Sequence, residues 1–344
     1  MAKKNAGKTT KVNDNNFWAK SKKPMFVLAP MHDVTDAAFR QIIAKYGKPD
    51  VFYTEFVSTE ALVSEKGHDK VMHYLKFSKT EHPIVAQIFG SDPLKFKEVS
   101  KLIQDLGYDG VDINMGCPEK NAVKGGSCAG LFRTPERAKE IILACKEGAP
   151  KIPVSVKIRI GDTNINWENW ILKLLEAEPA AIAIHLRTRK EMSKVDAHWE
   201  EMPKIIKFIN EHTTLETRPV ILGNGDVKDI EHAQALVKET GCDGVMLGRA
   251  IFGNPFLFNV GRSEASGNPP SLEEKLSVLL EHTKLYEKMF DGIKPFDIMK
   301  RHFKAYVAGF TGAAEVRNQL YECKNADDVE KVIKNFLAQP LAKN

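Results

Sequence analysis

Strand-length apolar runs recur along this chain, and a segment with helical periodicity follows most of them. The runs begin at Met25, Val51, Ile84, Gly110, Val154, Ala181, Pro219 and Gly244. Strands that alternate with helices predict parallel βαβ units, because a parallel connection has to cross back over the sheet. Eight such strands between residues 24 and 260 indicate an α/β protein whose core is a closed (β/α)8 TIM barrel.

The residues after the barrel have a different pattern. Residues 261–271 contain Gly267, Pro269 and Pro270 and are typical of a linker. Residues 272–344 contain helical segments and no strand-type run, which predicts a small C-terminal all-α helical bundle domain. A bundle of this size buries little apolar surface by itself, so we expect it to dock on the barrel.

Positive charge is concentrated at the N-terminal end. The formal net charge of the chain is +5, and residues 1–23 contain seven lysines and one aspartate, so this segment carries +6 and the remainder −1. We interpret residues 1–23 as a disordered lysine-rich arm, which is either a solvated leader or an added attraction for a polyanion. A nucleic-acid surface elsewhere has to come from local clustering of charge.

Composition excludes several classes of protein. No apolar run approaches the roughly 20 residues of a membrane-spanning helix, and the N-terminus lacks the apolar core of a secretory signal. Five cysteines, an odd number without a Cys-x-x-Cys pair, argue against a disulfide framework and a cysteine-rich zinc site. We therefore expect a cytoplasmic monomer with no membrane partner and no bound metal.

The run that begins at Gly110 ends in a glycine-rich loop that carries a cysteine. Residues 110–118 place Cys117 just past the carboxyl end of the predicted strand. Ligands and catalytic groups of barrels lie at these carboxyl ends. A thiol in such a loop can react, but free cysteines are also commonly buried as small apolar groups. The local sequence favours neither interpretation.

Polar side chains follow the other predicted strands as well. In strand order they are His32, Glu55, Gln87, Asn114 with Cys117, Lys157 with Arg159, His185 with Arg187, Asn224 with Asp226, and Arg249. One such residue, for example Glu55, can be structural. Polar groups that converge from eight strand ends above apolar runs favour a ligand site.

The ends of the last two strands have the pattern of a phosphate site. Gly225 allows a ligand to approach the backbone closely, and Gly248-Arg249 precedes a short helical run. Barrels often bind phosphate after strands 7 and 8. The chain lacks a dinucleotide fingerprint and a Walker loop. A ligand with one phosphate and a flat, polar ring system therefore fits better than a dinucleotide, which points to FMN.

Bound FMN would place three polar side chains along the edge of its ring system: Gln87, Lys157 and His185. A lysine there would stabilise the reduced, anionic ring. Metal chemistry is less well supported, because the chain has no His-x-x-x-His motif or clustered carboxylates. Cys117 and His185 could form a thiol–imidazole nucleophile, but the other strand ends would then have no role.

These residues make the sequence similar to the tRNA-dihydrouridine synthase family. The similarity runs in order over residues 24–258, and residues 304–317 also resemble the family's C-terminal domain. The matching motifs are Ala29-Pro30-Met31, Gln87-Ile88-Phe89-Gly90, residues 110–118 with Gly125-Gly126, Lys157-Ile158-Arg159, His185 with Arg187-Thr188-Arg189, Asn224-Gly225-Asp226 and Gly248-Arg249-Ala250. Several ordered motifs are more specific than any one of them.

The resemblance implies an FMN enzyme that uses NADPH to reduce a uridine of tRNA to 5,6-dihydrouridine. Hydride would pass from flavin N5 to C6 of the uracil, and Cys117 would give the proton to C5. The residues implied to hold FMN are Ala29, Pro30, Met31, His32, Gln87, Lys157, His185, Asn224, Gly225, Asp226, Gly248 and Arg249. Those implied to contact the uracil and its backbone are Asn114, Lys157, Arg159 and Arg187. The helical domain would form the second wall of a tRNA groove.

The implied chemistry agrees with the types of residue present. The C5=C6 bond of uracil is conjugated to the C4 carbonyl, so hydride should add at C6 and C5 then needs a proton. A thiol with an ordinary pKa of about 8.5 is largely protonated at neutral pH and can supply it. Lys157 and Arg159 can stabilise the negative charge that develops.

The sequence departs from the family pattern in one region. Leu186 stands where the family commonly has glycine, and Ser193-Lys194-Val195 stands where a Tyr-x-Gly often occurs. This loop should face substrate, so the departure concerns the choice of uridine more than the chemistry.

Two other functions remain open at this point. The first is an FMN barrel that reduces a small enone or a free pyrimidine, although such a substrate requires neither a helical domain nor a lysine arm. The second is a tRNA-binding chaperone with an inactive barrel, although the polar set at all strand ends is complete.

Overall fold

A computed structural model describes residues 16–338, and within them nine strands form one parallel sheet. Each strand coincides with, or lies within two residues of, an apolar run that the sequence predicts. The strands are β1 (Met25–Leu28), β2 (Phe52–Tyr53), β3 (Val57–Ser58), β4 (Ile84–Phe89), β5 (Gly110–Asn114), β6 (Val154–Arg159), β7 (Ala181–His185), β8 (Val220–Asn224) and β9 (Gly244–Leu247).

The sheet closes into a barrel. Its order is β1-β9-β8-β7-β6-β5-β4-β2, and β3 continues beyond β2 along the same neighbour, β4. A parallel bridge between Val27 and Val51, with the N–H of Leu28 donating to the Val51 carbonyl at 3.1 Å, joins the first and last strands of this order. With β2 and β3 as two pieces of one strand, the predicted eight-stranded TIM barrel is confirmed.

Helices surround the barrel and continue beyond it. Those within or before the barrel are α1 (Phe17–Lys20), α2 (Ala37–Tyr46), α3 (Thr59–Val63), α4 (His68–Val71), α5 (Pro93–Asp105), α6 (Lys120–Lys124), α7 (Pro135–Gly148), α8 (Glu168–Leu175), α9 (Met202–His212) and α10 (Ile230–Thr240). The C-terminal helices are α11 (Leu272–Phe290), α12 (Met299–Tyr306), α13 (Ala313–Glu322) and α14 (Ala326–Leu337). Short 3-10 turns occupy Met72–Leu75, Lys79–Glu81, Cys128–Arg133, Trp199–Glu201, Arg249–Ile251, Val260–Arg262 and Phe296–Ile298.

Local sequence signals explain several of the helix starts. The Asp36 side chain accepts the Phe39 N–H at 2.9 Å and caps α2, while α5 and α7 begin at proline, whose missing N–H costs nothing in a first turn. Ser271 ends the predicted linker and caps α11 in a capping box with Glu274. Across residues 16–338, every helix is too short or too polar to traverse a lipid bilayer.

One part of the predicted arm is ordered, which corrects the expectation of disorder for residues 16–23. Residues 17–20 form α1, and Trp18 is fully buried with the apolar side chains that fill the barrel, including Met25 and Tyr53. Because α1 precedes β1, Trp18 closes the amino-terminal end of the barrel. The high lysine content of the segment masks this apolar anchor in the sequence. Residues 1–15 of the predicted arm lie outside the described residues.

The C-terminal helices dock on the barrel through a buried aromatic cluster. The Phe39 ring of α2 stacks on His282 of α11 at 4.8 Å and meets His302 of α12 edge-on at 4.7 Å. Both imidazoles are fully buried, and their ring nitrogens have no hydrogen-bond partner among the described residues. Burial lowers the pKa of His302 to about 3 and that of His282 well below its usual range, so both rings are neutral.

We predict that this cluster makes the fold sensitive to acid. Between pH 6.5 and about pH 3 the unfolded chain binds protons that the folded His302 does not, so stability falls as the pH is lowered. Each buried histidine can contribute about 1.4 kcal/mol per pH unit. Denaturant unfolding at pH 7 and pH 5 should therefore show a smaller loss of stability in His302→Phe than in the wild type.

The control is His212→Phe, since His212 is exposed on α9. This variant should keep the wild-type difference between the two pH values. Equal pH dependence in His302→Phe and the wild type would contradict the assignment.

Candidate functional site

A cavity of about 260 Å³ lies at the carboxyl ends of the barrel strands. Most of the predicted ligand residues line it, together with Ser193 of the loop that was expected to face substrate and two residues that the sequence did not single out. The predicted ones are Ala29, Pro30, Met31, Lys157, His185, Arg187, Asn224, Gly225, Asp226, Gly248 and Arg249, and the others are Val227, Met246 and Ser193. The structure therefore brings the carboxyl ends of β1, β6, β7, β8 and β9 together around one space.

The side of the cavity after β8 and β9 combines a glycine, a carboxylate and two arginines. Gly225 has φ +133, and a side chain there would lie 2.7 Å from the Ala197 side chain, so the close backbone wall requires glycine. The Asp226 carboxylate accepts hydrogen bonds from Arg187 and Arg249 and from the Ala197 N–H at 2.9 Å. Asp226 thus orients two arginines at the cavity wall, of which Arg249 also remains exposed to solvent.

A neutral imidazole and a lysine stand beside this wall. Lys157 donates to Asn224 Oδ1 at 3.1 Å, and burial, together with Arg159, lowers its pKa to about 8. Burial also lowers the pKa of His185, as do the cations around it, so this ring stays neutral. Arg187 Nη1 donates to His185 Nε2 at 3.1 Å, which leaves Nδ1 to carry the proton. The cavity therefore holds positive charge without a protonated histidine.

Gln87 and Asn114 lie outside the cavity lining, in a buried chain of hydrogen bonds that leads to Cys117. Gln87 Nε2 donates to Asp112 Oδ2 at 2.7 Å, and Asn114 Nδ2 donates to Gln87 Oε1 at 2.9 Å. The remaining oxygen of Asn114 accepts the N–H groups of Gly116 at 3.1 Å and Cys117 at 2.9 Å. The two predicted amides thus fix the backbone of the cysteine loop.

Cys117 is half-buried and forms a thiol pair with Cys128. The two thiols are neighbours, and the Ala129 N–H donates to the Cys117 carbonyl at 3.2 Å. The neighbouring Cys128 thiol lowers the pKa of the Cys117 thiol, and the same interaction raises the pKa of the more deeply buried Cys128. Cys117 is therefore a stronger acid than the ordinary thiol that the sequence predicts.

Arg159 connects the cysteine loop to the loop after β7. Its Nε donates to the Gly116 carbonyl at 2.7 Å, and its Nη1 donates to the carbonyls of Thr188 and Met192 at 2.9 and 3.0 Å. The guanidinium is buried beside Cys117, where its charge also lowers the pKa of the thiol. Arg187 also forms a hydrogen bond within the protein: its Nε donates to the Val195 carbonyl at 2.6 Å.

His32 lies away from the cavity lining, among Asp33 and Glu55. Ligand-type atoms of these three residues lie within 4.8 Å of one another, which is an arrangement that could hold a metal ion. The Lys294 Nζ already lies 3.0 Å from Glu55, and Arg301 lies 3.5 Å from Asp33. The carboxylates are thus ion-paired with cations of the helical domain.

Comparison with known proteins identifies the family. A dihydrouridine synthase (Dus) family model matches residues 27–343. The chain is 42% identical over 323 residues to a probable tRNA-dihydrouridine synthase 2 of Bacillus subtilis (strain 168), covering 93% of this chain and 96% of that protein. It is also 42% identical over 326 residues to a probable tRNA-dihydrouridine synthase of Staphylococcus aureus (strain Mu50), covering 94% and 96%. The chain belongs to the dihydrouridine synthase family.

Solved structures with low sequence identity share the fold of this dihydrouridine synthase. A histamine dehydrogenase from Rhizobium sp. 4-9 matches with a TM-score of 0.53 at 11% identity, covering 76% of this chain and 49% of that one. An old yellow enzyme homologue from Zymomonas mobilis matches with a TM-score of 0.50 at 12% identity, covering 74% and 90%. These similarities support the barrel architecture.

Dihydrouridine synthases are flavin-dependent oxidoreductases, and the cavity fits a flavin. Gly225 and Gly248 line the cavity beside the exposed cation Arg249, a combination that suits a phosphate group. Lys157 and the neutral His185 provide polar groups of suitable charge for a ring system that becomes anionic on reduction.

Some functional residues were overlooked in the sequence. Asp112 interrupts an apolar strand, and a carboxylate at such a position indicates a buried polar network. In the structure Asp112 accepts hydrogen bonds from Gln87 Nε2 and, at 2.6 Å, from Ser155 Oγ. Cys128 follows Gly125-Gly126-Ser127, but nothing in the sequence indicates that its thiol meets that of Cys117. That contact depends on how the intervening loop and α6 fold.

We predict that Cys128 controls the reactivity of Cys117. The rate of alkylation by iodoacetamide follows the thiolate fraction, so its pH dependence reports the thiol pKa. In the wild type the midpoint for Cys117 should lie below that of an ordinary thiol, and in Cys128→Ala it should move to higher pH. Peptide mass spectrometry identifies the alkylated site.

Cys145→Ala is the matched control, because Cys145 is fully buried on α7. Its midpoint for Cys117 alkylation should equal that of the wild type. A Cys128→Ala midpoint that does not move would show that the thiol pair does not govern Cys117.

Proposed function

We propose that this chain is a tRNA-dihydrouridine synthase that uses FMN and NADPH to reduce the C5=C6 bond of a uridine in tRNA. The observation that carries the proposal is the position of Cys117. In a barrel of this family, the thiol stands on the loop after β5, which Asn114 fixes, beside the Arg159 guanidinium and within electrostatic reach of Lys157, which lines the cavity.

The cavity residues are proposed to bind FMN. Gly225, Gly248 and Arg249 would hold the phosphate, and Lys157 with His185 would contact the ring system. Gln87 would act through the hydrogen-bonded chain that it shares with Asn114. His32, whose side chain lies among Asp33 and Glu55, would take part through its backbone. Reduced FMN, when bound, supplies the hydride that adds to C6 of the uracil.

Cys117 is proposed to protonate C5. Loss of the proton leaves a thiolate, which the Cys128 thiol and the Arg159 guanidinium stabilise. Because this stabilisation lowers the pKa of Cys117, the thiol loses its proton at a lower pH than an ordinary thiol, so protonation of C5 should slow as the pH rises through that lowered pKa. Lys157, Arg159 and Arg187 lie where they could face the uracil and the charge that develops on it.

The substrate is proposed to be tRNA that binds across residues 24–260 and residues 272–344. A uridine inside folded tRNA has to leave its stack to reach a barrel mouth. The helical domain would form the second wall of the groove and recognise RNA by shape and phosphates. We further propose that the protein acts in the cytoplasm as a monomer, in keeping with its free cysteines.

The direct test is reduction of unmodified tRNA by the wild type and by Cys117→Ala, with FMN and NADPH supplied. The variant should bind FMN, visible as absorbance near 450 nm, and should form dihydrouridine about 10²- to 10⁴-fold more slowly, the usual contribution of a general acid. Cys145→Ala should react at the wild-type rate. Normal turnover by Cys117→Ala would contradict the acid assignment.

The same assay separates the alternatives. Reduction of free uridine as fast as that of tRNA would favour a small-molecule reductase. A purified protein that binds no flavin would favour a tRNA-binding protein without catalysis.

A further inference from the structure

The helical domain inserts one buried cation into the barrel. Lys294 lies between α11 and the turn Phe296–Ile298, and its Nζ lies 3.0 and 3.2 Å from the two carboxylate oxygens of Glu55. Only 8% of Lys294 and 1% of Glu55 is exposed to solvent. The ammonium also lies 4.7 Å from the Tyr74 ring centre and 5.3 Å from that of Phe290. This pair is therefore shielded from water, unlike the surface ion pairs.

Glu55 carries the contact onward to the first strand loop. Its Oε1 accepts the N–H of Asp33 at 2.6 Å, and Asp33 has a left-handed backbone with φ +54, which is costly for a residue other than glycine. The residues just before Asp33, from Ala29 to Met31, line the cavity. A single carboxylate therefore supports the unusual backbone of the loop that contributes to the flavin site.

We propose that Lys294 is a positioning residue through which the helical domain holds the loop of residues 29–36 in its flavin-binding conformation. The inference rests on the proposed function, since it assumes that the cavity binds FMN. Without the ammonium, Glu55 is a buried carboxylate that lacks its closest counter-charge, so it has to take up a proton or move toward water. Either change weakens the acceptor for the Asp33 N–H and releases the loop.

The proposal gives the helical domain a second role. It was expected to face tRNA, yet through Lys294 it also contributes to the geometry of the cofactor site. Arg301 of α12 adds a weaker contact from the same domain, 3.5 Å from Asp33. Docking of this domain and binding of FMN are therefore coupled.

The test is the affinity of the full-length apoprotein for FMN, measured by quenching of FMN fluorescence. Lys294→Met should raise the Kd for FMN at least 10-fold. Lys294→Arg, which keeps the charge, should stay within about 3-fold of the wild type. The double variant Glu55→Gln with Lys294→Met should recover most of the affinity, because the amide oxygen can accept the Asp33 N–H without a stranded charge.

Lys45→Met is the matched control. Lys45 also joins the barrel to the helical domain, through Glu281 at 2.7 and 2.9 Å, but it contacts no residue of the 29–36 loop. Its Kd for FMN should equal that of the wild type. Wild-type affinity in Lys294→Met, equal losses in Lys45→Met and Lys294→Met, or no recovery in Lys294→Arg and the double variant would each overturn the proposal.

Failure of the proposed function gives a different result. Protein that binds FMN with this dependence on Lys294, but reduces no tRNA, would support the positioning role and contradict the assigned reaction. Wild-type protein that binds no FMN would overturn both.

Discussion

The buried carboxylate of Asp112 begins the chain of hydrogen bonds on which the rest of the site depends. Burial raises its pKa to about 6, while Ser155 and Gln87 donate to its two oxygens. With its amide nitrogen turned to Asp112, Gln87 presents its carbonyl oxygen to Asn114, so Asn114 turns its own oxygen toward the N–H groups of Gly116 and Cys117. The orientation of the cysteine loop is thus set by buried hydrogen bonds that begin inside the barrel.

The cationic side chains around this loop are also held in place by hydrogen bonds within the protein. Lys157, Arg159 and Arg187 are largely buried, and each donates to acceptors within the protein, so their positions are fixed before a ligand arrives. The Cys128 thiol makes Cys117 more acidic than an isolated thiol. Lys294 brings the helical domain into contact with Glu55, whose carboxylate accepts the N–H of Asp33 in the loop after β1.

Much of the fold could be predicted because buried strands and capped helices leave local signals. The strands β1, β4, β5, β6, β7 and β9 begin at the residues where the predicted apolar runs begin. Polar residues at strand ends predicted most of the cavity, since parallel strands bring these ends together. The remainder depends on contacts between distant residues. Burial of Trp18 and the pair of Glu55 with Lys294 have no local signal, because each requires the closed barrel. The meeting of Cys117 with Cys128 has none either, because it depends on how the loop and α6 between them fold.

The central claim is that the barrel mouth reduces uridine in tRNA, with Cys117 as its acid. The most direct measurement is a map of dihydrouridine in tRNA from cells with the wild-type gene, with the gene deleted, and with the deletion complemented by Cys117→Ala. The account predicts that specific uridines lose their reduction on deletion and that only the wild-type protein restores it. A map that is the same in all three strains would contradict the account.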